Sequence, residues 1–523
     1  MKSVNRLRVS TIAVAVGIAL SPAVWADPQE DIQQLKQQVE ELNQKIEALE
    51  RQQAADKENA AAKAKEASTV NHDSNKINTF QSDDGAETLH VGGYVQADSR
   101  WYSGNQPATA PGTATPAAST GGVDTFLIRR ARLQFSGTIG TYFDYWLEPS
   151  FDDGAAGLQS AYLDADLSNL FKVRVGKFKV PLGLERLQFS SNNSFVETGF
   201  TTGLTPNYEA GAELFGTLFA GTTDYQLAVI NGSALENINV NNNSSSADAD
   251  INDAKDVAAR LFVRPFQVTD IDALKKLGVG IAYLHGNEPG EFTYNAASLS
   301  TAVPVTNLGS YRTPGQETFF SYNANVYAVG TRDRWSPQAN WYYGPFGLLA
   351  EYVDSKQDIA RYISTTNSQA NLQSVDNHAW QVIGSWVITG ENATYGSGTS
   401  YPGTVIPKHP FDWRNGYWGA FELVARYNEH DNDSDAYLAP GATTAAKIAA
   451  LQLANPATAA QQARDIGLGL NWYFNRYIKL QTSYDVTNFS GGGGTLPGAL
   501  PGTTAILDRP QEKVFFTRAQ FAY

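Results

Sequence analysis

The 523-residue chain has no cysteine, which excludes disulfide staples and thiolate-bound metals. Its six histidines, His72, His90, His285, His378, His409 and His430, fall in unrelated segments and form no ligand or catalytic motif. No nucleophile with a base in reach is legible, so no enzyme, catalytic residue, metal site or cofactor is expected. Charge is scarce too: Asp, Glu, Lys and Arg make up 18% of the chain, low for a soluble protein. Beyond the first 26 residues there is no apolar run long enough for a membrane-spanning helix, which excludes a helical membrane bundle.

Glycine and aromatics are abundant instead. The 45 glycines, 25 tyrosines, 25 phenylalanines and 10 tryptophans suit tight turns and aromatic belts. Mean hydropathy nevertheless stays slightly polar at -0.32. That combination fits a chain in which only every second residue meets lipid. The formal net charge of -14 describes solubility and not the local field inside a channel. No nucleic-acid partner is expected.

Residues 1–26 read as a signal peptide. Lys2, Arg6 and Arg8 precede the apolar run 12–20, and Val24, Trp25 and Ala26 end in a small residue where a signal peptidase cuts, so the mature chain would start near Asp27. In residues 27–52, Ile32, Val39 and Ile46 take the a positions of a heptad and Leu35, Leu42 and Leu49 the d positions, predicting a short α-helical coiled coil. Beta-branched a residues with Leu at d favour two strands. Residues 53–84, rich in Ala, Lys and Ser without periodicity, read as a flexible linker in the periplasm.

From residue 85 to the end, heptads give way to alternation. The stretch 125–135, TFLIRRARLQF, puts Leu127, Ala131, Leu133 and Phe135 on one face and Arg130, Arg132 and Gln134 on the other. In the strand before it, Val95 and Trp101 oppose Tyr94, Gln96, Asp98 and Arg100; at the C-terminus Phe515, Ala519, Phe521 and Tyr523 oppose Arg518 and Gln520. About sixteen such segments follow one another, with short turns alternating with long loops. The expected fold is therefore an all-β transmembrane barrel of about 16 antiparallel strands, carrying the N-terminal coiled coil, in the lipid bilayer of a bacterial outer membrane. Residues 316–329 fit as a loop excursion or as an extension of the next strand, and 390–415 is a long connection on a side of otherwise short turns.

An arginine facing lipid at mid-depth costs about 2–4 kcal/mol, so alternation sends the strand cations inward. They are Arg130, Arg132, Lys172, Arg174, Arg260, Arg264, Arg332, Arg334, Arg426, Lys479 and Arg518. Arg332 and Arg334 are the best marked, since Ser336, Gln338 and Asn340 continue their face while Trp335, Ala339 and Trp341 form the other. The same assignment places Asp98, Glu148, Asp164, Asp166, Glu213, Asp224, Asp256, Glu351, Glu422 and Asp485 inside. The cations therefore either attract anions or brace the wall through ion pairs. The loop 181–207 is long enough to fold inward and constrict the bore, with Lys177, Lys179 and Arg186 near its root as a cationic mouth.

Several stretches in order resemble the phosphate-selective porin O and P family: Arg129-Arg130-Ala131-Arg132, residues 175–185 (VGKFKVPLGLE), Arg332-Asp333-Arg334-Trp335-Ser336-Pro337, and Gly344-Pro345-Phe346 leading to Glu351-Tyr352. Thr389-Gly390-Glu391, residues 419–427 (GAFELVARY) and Gly469-Leu470-Asn471-Trp472-Tyr473 continue the likeness. The resemblance implies a homotrimer of sixteen-stranded barrels, each with an inward third loop and an arginine-lined path for small anions, phosphate or polyphosphate first among them. The residues expected to line that path and bind anions are Arg130, Arg132, Lys172, Arg174, Arg186, Arg260, Arg332, Arg334 and Arg426. The alternatives are a general or sugar-selective porin with Tyr94, Trp146 and Tyr162 as a stacking track, or an envelope tether that grips peptidoglycan through its coiled coil.

Overall fold

The computed structural model describes residues 78–82, 85–103, 122–152, 156–232, 253–287, 290, 306, 308–363, 368–393, 403–497 and 504–523, with scattered positions between 33 and 52. Two units separate along the chain, residues 1–69 and 70–523. In the first, the described positions between 33 and 52 are helical, with Lys45 and Glu41 paired one turn apart at 3.1 Å. Of the six heptad positions only Ile46 is described, and it is exposed; the others, like the expected signal peptide, lie outside the described residues.

The second unit is a closed antiparallel barrel. Its first eight strands are β1 (Thr88–Ser103), β2 (Thr125–Ile139), β3 (Phe143–Ser150), β4 (Gly157–Ser168), β5 (Phe171–Lys179), β6 (Tyr208–Leu218), β7 (Thr223–Ile230) and β8 (Asp256–Val263). The remaining eight are β9 (Gly278–Asn287), β10 (Val326–Tyr343), β11 (Phe346–Ile363), β12 (Ser368–Val387), β13 (Ala420–Asp431), β14 (Ala460–Tyr473), β15 (Ile478–Pro497) and β16 (Glu512–Ala522). Each pairs with the next, and β16 returns to β1 with Asp98 opposite Arg518. Thr79–Gln81, inside the stretch expected as linker, adds a short strand to the start of β1.

Alternation along the strands decides what faces where. Trp101, Leu147, Trp335 and Phe515 are exposed on the outside, while Gln96, Asp98, Glu148, Arg334, Gln338 and Arg518 are buried within. The tight turn between β10 and β11 needs Gly344, whose φ of 54° favours a residue without Cβ. One expected face is corrected at β2. The register of β1 against β2 shifts between Gln96 and Ala97, so that Arg129 and Arg130 both point inward. Before that bulge the parity is reversed: Phe126 and Ile128 are exposed and Leu127, expected outside, lies opposite Asp98. The bulge is the way consecutive arginines both avoid lipid.

The long connection between β12 and β13 leaves the pairing intact, with His378 opposite Asp431 through to Val387 opposite Glu422. Its described part turns at Asp412 and Tyr417 and packs Phe411 against Trp418, Trp472 and Phe474. The segment 316–329 divides: Ser310–Arg312 and Thr318–Ser321 form a hairpin, and Val326 opens β10.

Two elements fill part of the bore. The loop 180–207 between β5 and β6 enters the barrel, where Val180 and Leu182 pack on the β7–β9 wall and Leu184 and Phe195 on Leu349, Ile383 and Val424. Phe200 and Leu204 then meet Tyr311, Phe319 and Phe320 of the hairpin, over Val353, Val375, Ala379 and Ala463. Apolar packing thus fills much of the interior facing β11–β15, with buried polar side chains such as Glu351, Gln381, Arg426 and Asp485 set among it. Two water-accessible spaces lie along β2–β8, and a smaller one of about 30 Å³ lies beside β10–β14.

Candidate functional site

Glu197, near the tip of the inward loop, ties it to the barrel seam. Its carboxylate accepts from Arg100 at 2.8 Å and from Arg129 at 2.7 Å, with Arg518 at 3.5 Å, and its carbonyl accepts from Arg426 at 2.8 Å. Burial alone would push this carboxyl up, but Arg129, Arg100, Arg130 and Arg518 outweigh it and hold the group well below the usual carboxylate range. Across the bore, Glu351 of β11 accepts from the backbone N–H of Leu184 at 2.6 Å and from the Thr201 hydroxyl at 2.7 Å. Gln381 donates to both Glu351 and Glu185. Further wall amides hold the loop backbone: Gln96 donates to the Ser190 carbonyl, Asn471 to Ser194 and Gln520 to Ser191.

Between this loop and β2 lies a cavity of about 100 Å³. Six cations line it, Arg129, Arg130, Arg132, Lys179, Arg186 and Arg312, against three carboxylates, Asp152, Glu185 and Glu197. Asp152 is committed to Arg132 at 2.6 Å, and Glu197 to the arginines already named. The Arg130 guanidinium donates to the Gln96 side chain at 2.9 Å. The Lys179 ammonium donates to the carbonyls of Arg186 and Gln188, and Arg186 donates to the Thr205 hydroxyl and the Thr202 carbonyl. These three cations therefore spend their hydrogen bonds on neutral acceptors, and their charge stays uncompensated by a bonded carboxylate. Burial lowers Arg186 to about 10, with Glu185 and Glu351 acting the other way.

Of the residues marked by sequence, Arg130, Arg132, Lys179 and Arg186 meet in this cavity. Lys172, Arg174 and Arg260 line a second one of about 310 Å³ on the short-turn side of the loop. Lys172 is paired there with Asp166, and Arg174 with Asp164 at 2.8 Å and Glu213 at 3.5 Å. Arg332, Arg334 and Arg426 are buried inside the barrel but line neither cavity. Arg332 pairs with Asp256 at 3.2 Å, Arg334 donates to Ser355, and Arg426 pairs with Asp485 at 2.7 Å. Tyr94 is covered by Arg132 and takes no part in a stacking track, and Lys177 donates to the Leu158 carbonyl away from the cavities.

Arg129, Asp152 and Arg312 were not marked by alternation. The signal for Arg129 was its adjacency to Arg130, since two consecutive arginines inside a lipid-facing strand demand a bulge. Among the described residues no group of His, Asp and Glu is arranged to hold a metal ion.

The family model for phosphate-selective porin O and P matches residues 59–490. The chain belongs to this family. It is an outer-membrane porin, and the closed sixteen-stranded barrel with its inward loop is the channel body. Similar solved structures include OmpT of Vibrio cholerae (10% identity, 85% of this chain and 99% of that one, TM-score 0.46). The outer membrane channel DcaP of Acinetobacter baumannii shares 11% identity over 85% of this chain and 99% of that one, with a TM-score of 0.44. An anion-selective porin from Comamonas acidovorans shares 11% over 84% of this chain and 100% of that one, with a TM-score of 0.43. None of the curated protein sequences matches.

Proposed function

We propose that this porin lets small anions diffuse across the outer membrane, with inorganic phosphate or polyphosphate as the preferred solute. The observation that carries the reading is the cavity between loop and wall, where Arg130, Lys179 and Arg186 present charge that no hydrogen-bonded carboxylate cancels. Charges at a constriction act on every passing ion within a Debye length of about 8 Å. Guanidinium forks suit the paired oxygens of phosphate. Arg129, Arg332, Arg426 and Arg518 serve a different purpose in this reading: their carboxylate partners brace the wall and hold the loop.

The proposal extends to the rest of the chain. Residues 1–26 act as a secretion signal, the helix within 27–52 forms a periplasmic coiled coil that reaches towards peptidoglycan, and the barrels assemble as a homotrimer. The heptad of the helix and the family supply the support. Reversal potentials in planar bilayers with phosphate, sulfate and chloride test the central claim. Preference for potassium over chloride, or chloride current indifferent to added phosphate, would overturn it.

A further inference from the structure

We infer that the second cavity is a binding site for ring-bearing organic anions of the aromatic carboxylate class; the inference deepens the anion-channel reading and rests on it. The two cavities differ in kind. Among the described residues, the one between loop and β2 has Tyr208 as its single aromatic, whereas the larger one is walled by Trp146, Tyr162, Phe189, Phe215 and Tyr225 as well. At about 310 Å³ the larger falls at the lower end of the roughly 300–1,000 Å³ typical of small-molecule sites. It sits inside the barrel, near the turns at 169–170 and 219–222, and shares Lys179 and Tyr208 with the first cavity.

Its rings are held in fixed planes. Trp146 and Tyr162 lie parallel within 8° with centroids 6.4 Å apart, and Phe189, from the inward loop, approaches Trp146 at 5.8 Å. The Arg174 guanidinium lies 3.9 Å from the Tyr162 ring and 4.9 Å from the Phe215 ring, fixed by Asp164 and Glu213. An inorganic phosphate has no apolar face to bury against such surfaces; an aromatic ring does. The charge for the carboxylate is Lys179, which lines both cavities, lies 6.0 Å from Phe189 and 5.5 Å from Tyr208, and bonds only backbone carbonyls. A solute with a ring at one end and a carboxylate at the other matches that arrangement. Acetate lacks the ring and a neutral sugar lacks the charge.

The test is single-channel current through the full-length porin with benzoate, acetate, phosphate or maltotriose added at equal concentration. Benzoate is expected to block saturably, with acetate at the same concentration leaving the current open. Trp146→Leu and Phe215→Leu, each checked for a heat-modifiable folded barrel, are expected to raise the half-blocking benzoate concentration about tenfold, the scale of one lost aromatic contact. If one variant does not insert, the other carries the test. Equal effects of benzoate and acetate, block unchanged in the folded variants, or block by maltotriose in place of benzoate would each overturn the inference. An anion-selective channel with no benzoate block sinks this proposal alone, whereas a cation-selective channel sinks the reading beneath it.

Discussion

Arg518, five residues from the C-terminus, forks onto the carboxylate of Asp98 in the first barrel strand, with bonds of 2.7 and 2.8 Å and both side chains fully buried. The pair closes the cylinder. Removing Asp98 leaves the buried Arg518 with only the more distant Glu197, at 3.5 Å, which costs up to about 3–5 kcal/mol, while replacing both by neutral groups costs far less. Asp98→Asn is therefore expected to lower the urea midpoint of barrel unfolding sharply, and adding Arg518→Gln to restore most of it. A double variant as unstable as the single one would show that the seam does not depend on this pair.

Glu197 is the second point of leverage, because three guanidiniums converge on it. Glu197→Gln is expected to loosen the inward loop and free Arg100 and Arg129, giving noisier current and a higher chloride-to-potassium permeability ratio. Bilayer recordings at pH 7 read both effects.

The same residue sets an acid limit. Its carboxyl is held below its ordinary value, so the stabilisation it gives is full above the unfolded pKa of about 4.3 and is lost only as pH falls through the lower folded value. Trypsin cleavage after reneutralisation of samples held at successive pH values would not report this; open-channel noise recorded directly does. The noise attributable to the loop is expected to stay low at pH 4 in the wild type and to rise only in stronger acid, whereas Glu197→Gln is noisy throughout.

Arg130, Lys179 and Arg186 are expected to separate from Arg332 and Arg334 on mutation. Each of Arg130→Gln, Lys179→Gln and Arg186→Gln should weaken phosphate block of chloride current about tenfold or more, the worth of one charged hydrogen bond. Arg332→Gln and Arg334→Gln, singly and together, should lower the unfolding midpoint and leave the phosphate effect near that of the wild type. Selectivity lost in the second group would move the anion path to the β10 wall.

Alkaline titration gives an independent check on Arg186. Burial brings its guanidinium down to about 10, so its charge is present at pH 8 and lost as pH rises through that value. Chloride preference is expected to fall between pH 9 and 11 by a larger step in the wild type than in Arg186→Gln, as read from reversal potentials.

All sixteen strands were legible because the lipid permits so few alternatives: a period of two with aromatics on one face and Arg, Asp and Gln on the other fits no other membrane structure. The inward-facing cations came with that parity. The bulge at Arg129 and Arg130 did not, since strict alternation carries Leu127 to the wrong face. Partners were also hidden. Glu351 holds the N–H of Leu184 from 167 positions away, and Asp98 meets Arg518 across nearly the whole barrel domain, so no local pattern distinguishes a bracing arginine from one left for anions. The hairpin built from Ser310–Arg312 and Thr318–Ser321 overlaps a stretch that reads locally as a loop excursion or an extension of the next strand; only its packing on Phe200 and Leu204 turns it inward.

The two cavities along β2–β8 and the apolar packing under β11–β15 put the cationic lining and most of the plug's apolar grip on different arcs of one cylinder. The two arcs meet at β2, where Arg129 both lines a cavity and holds Glu197 of the inward loop, so a change there alters the lining and the plug at once.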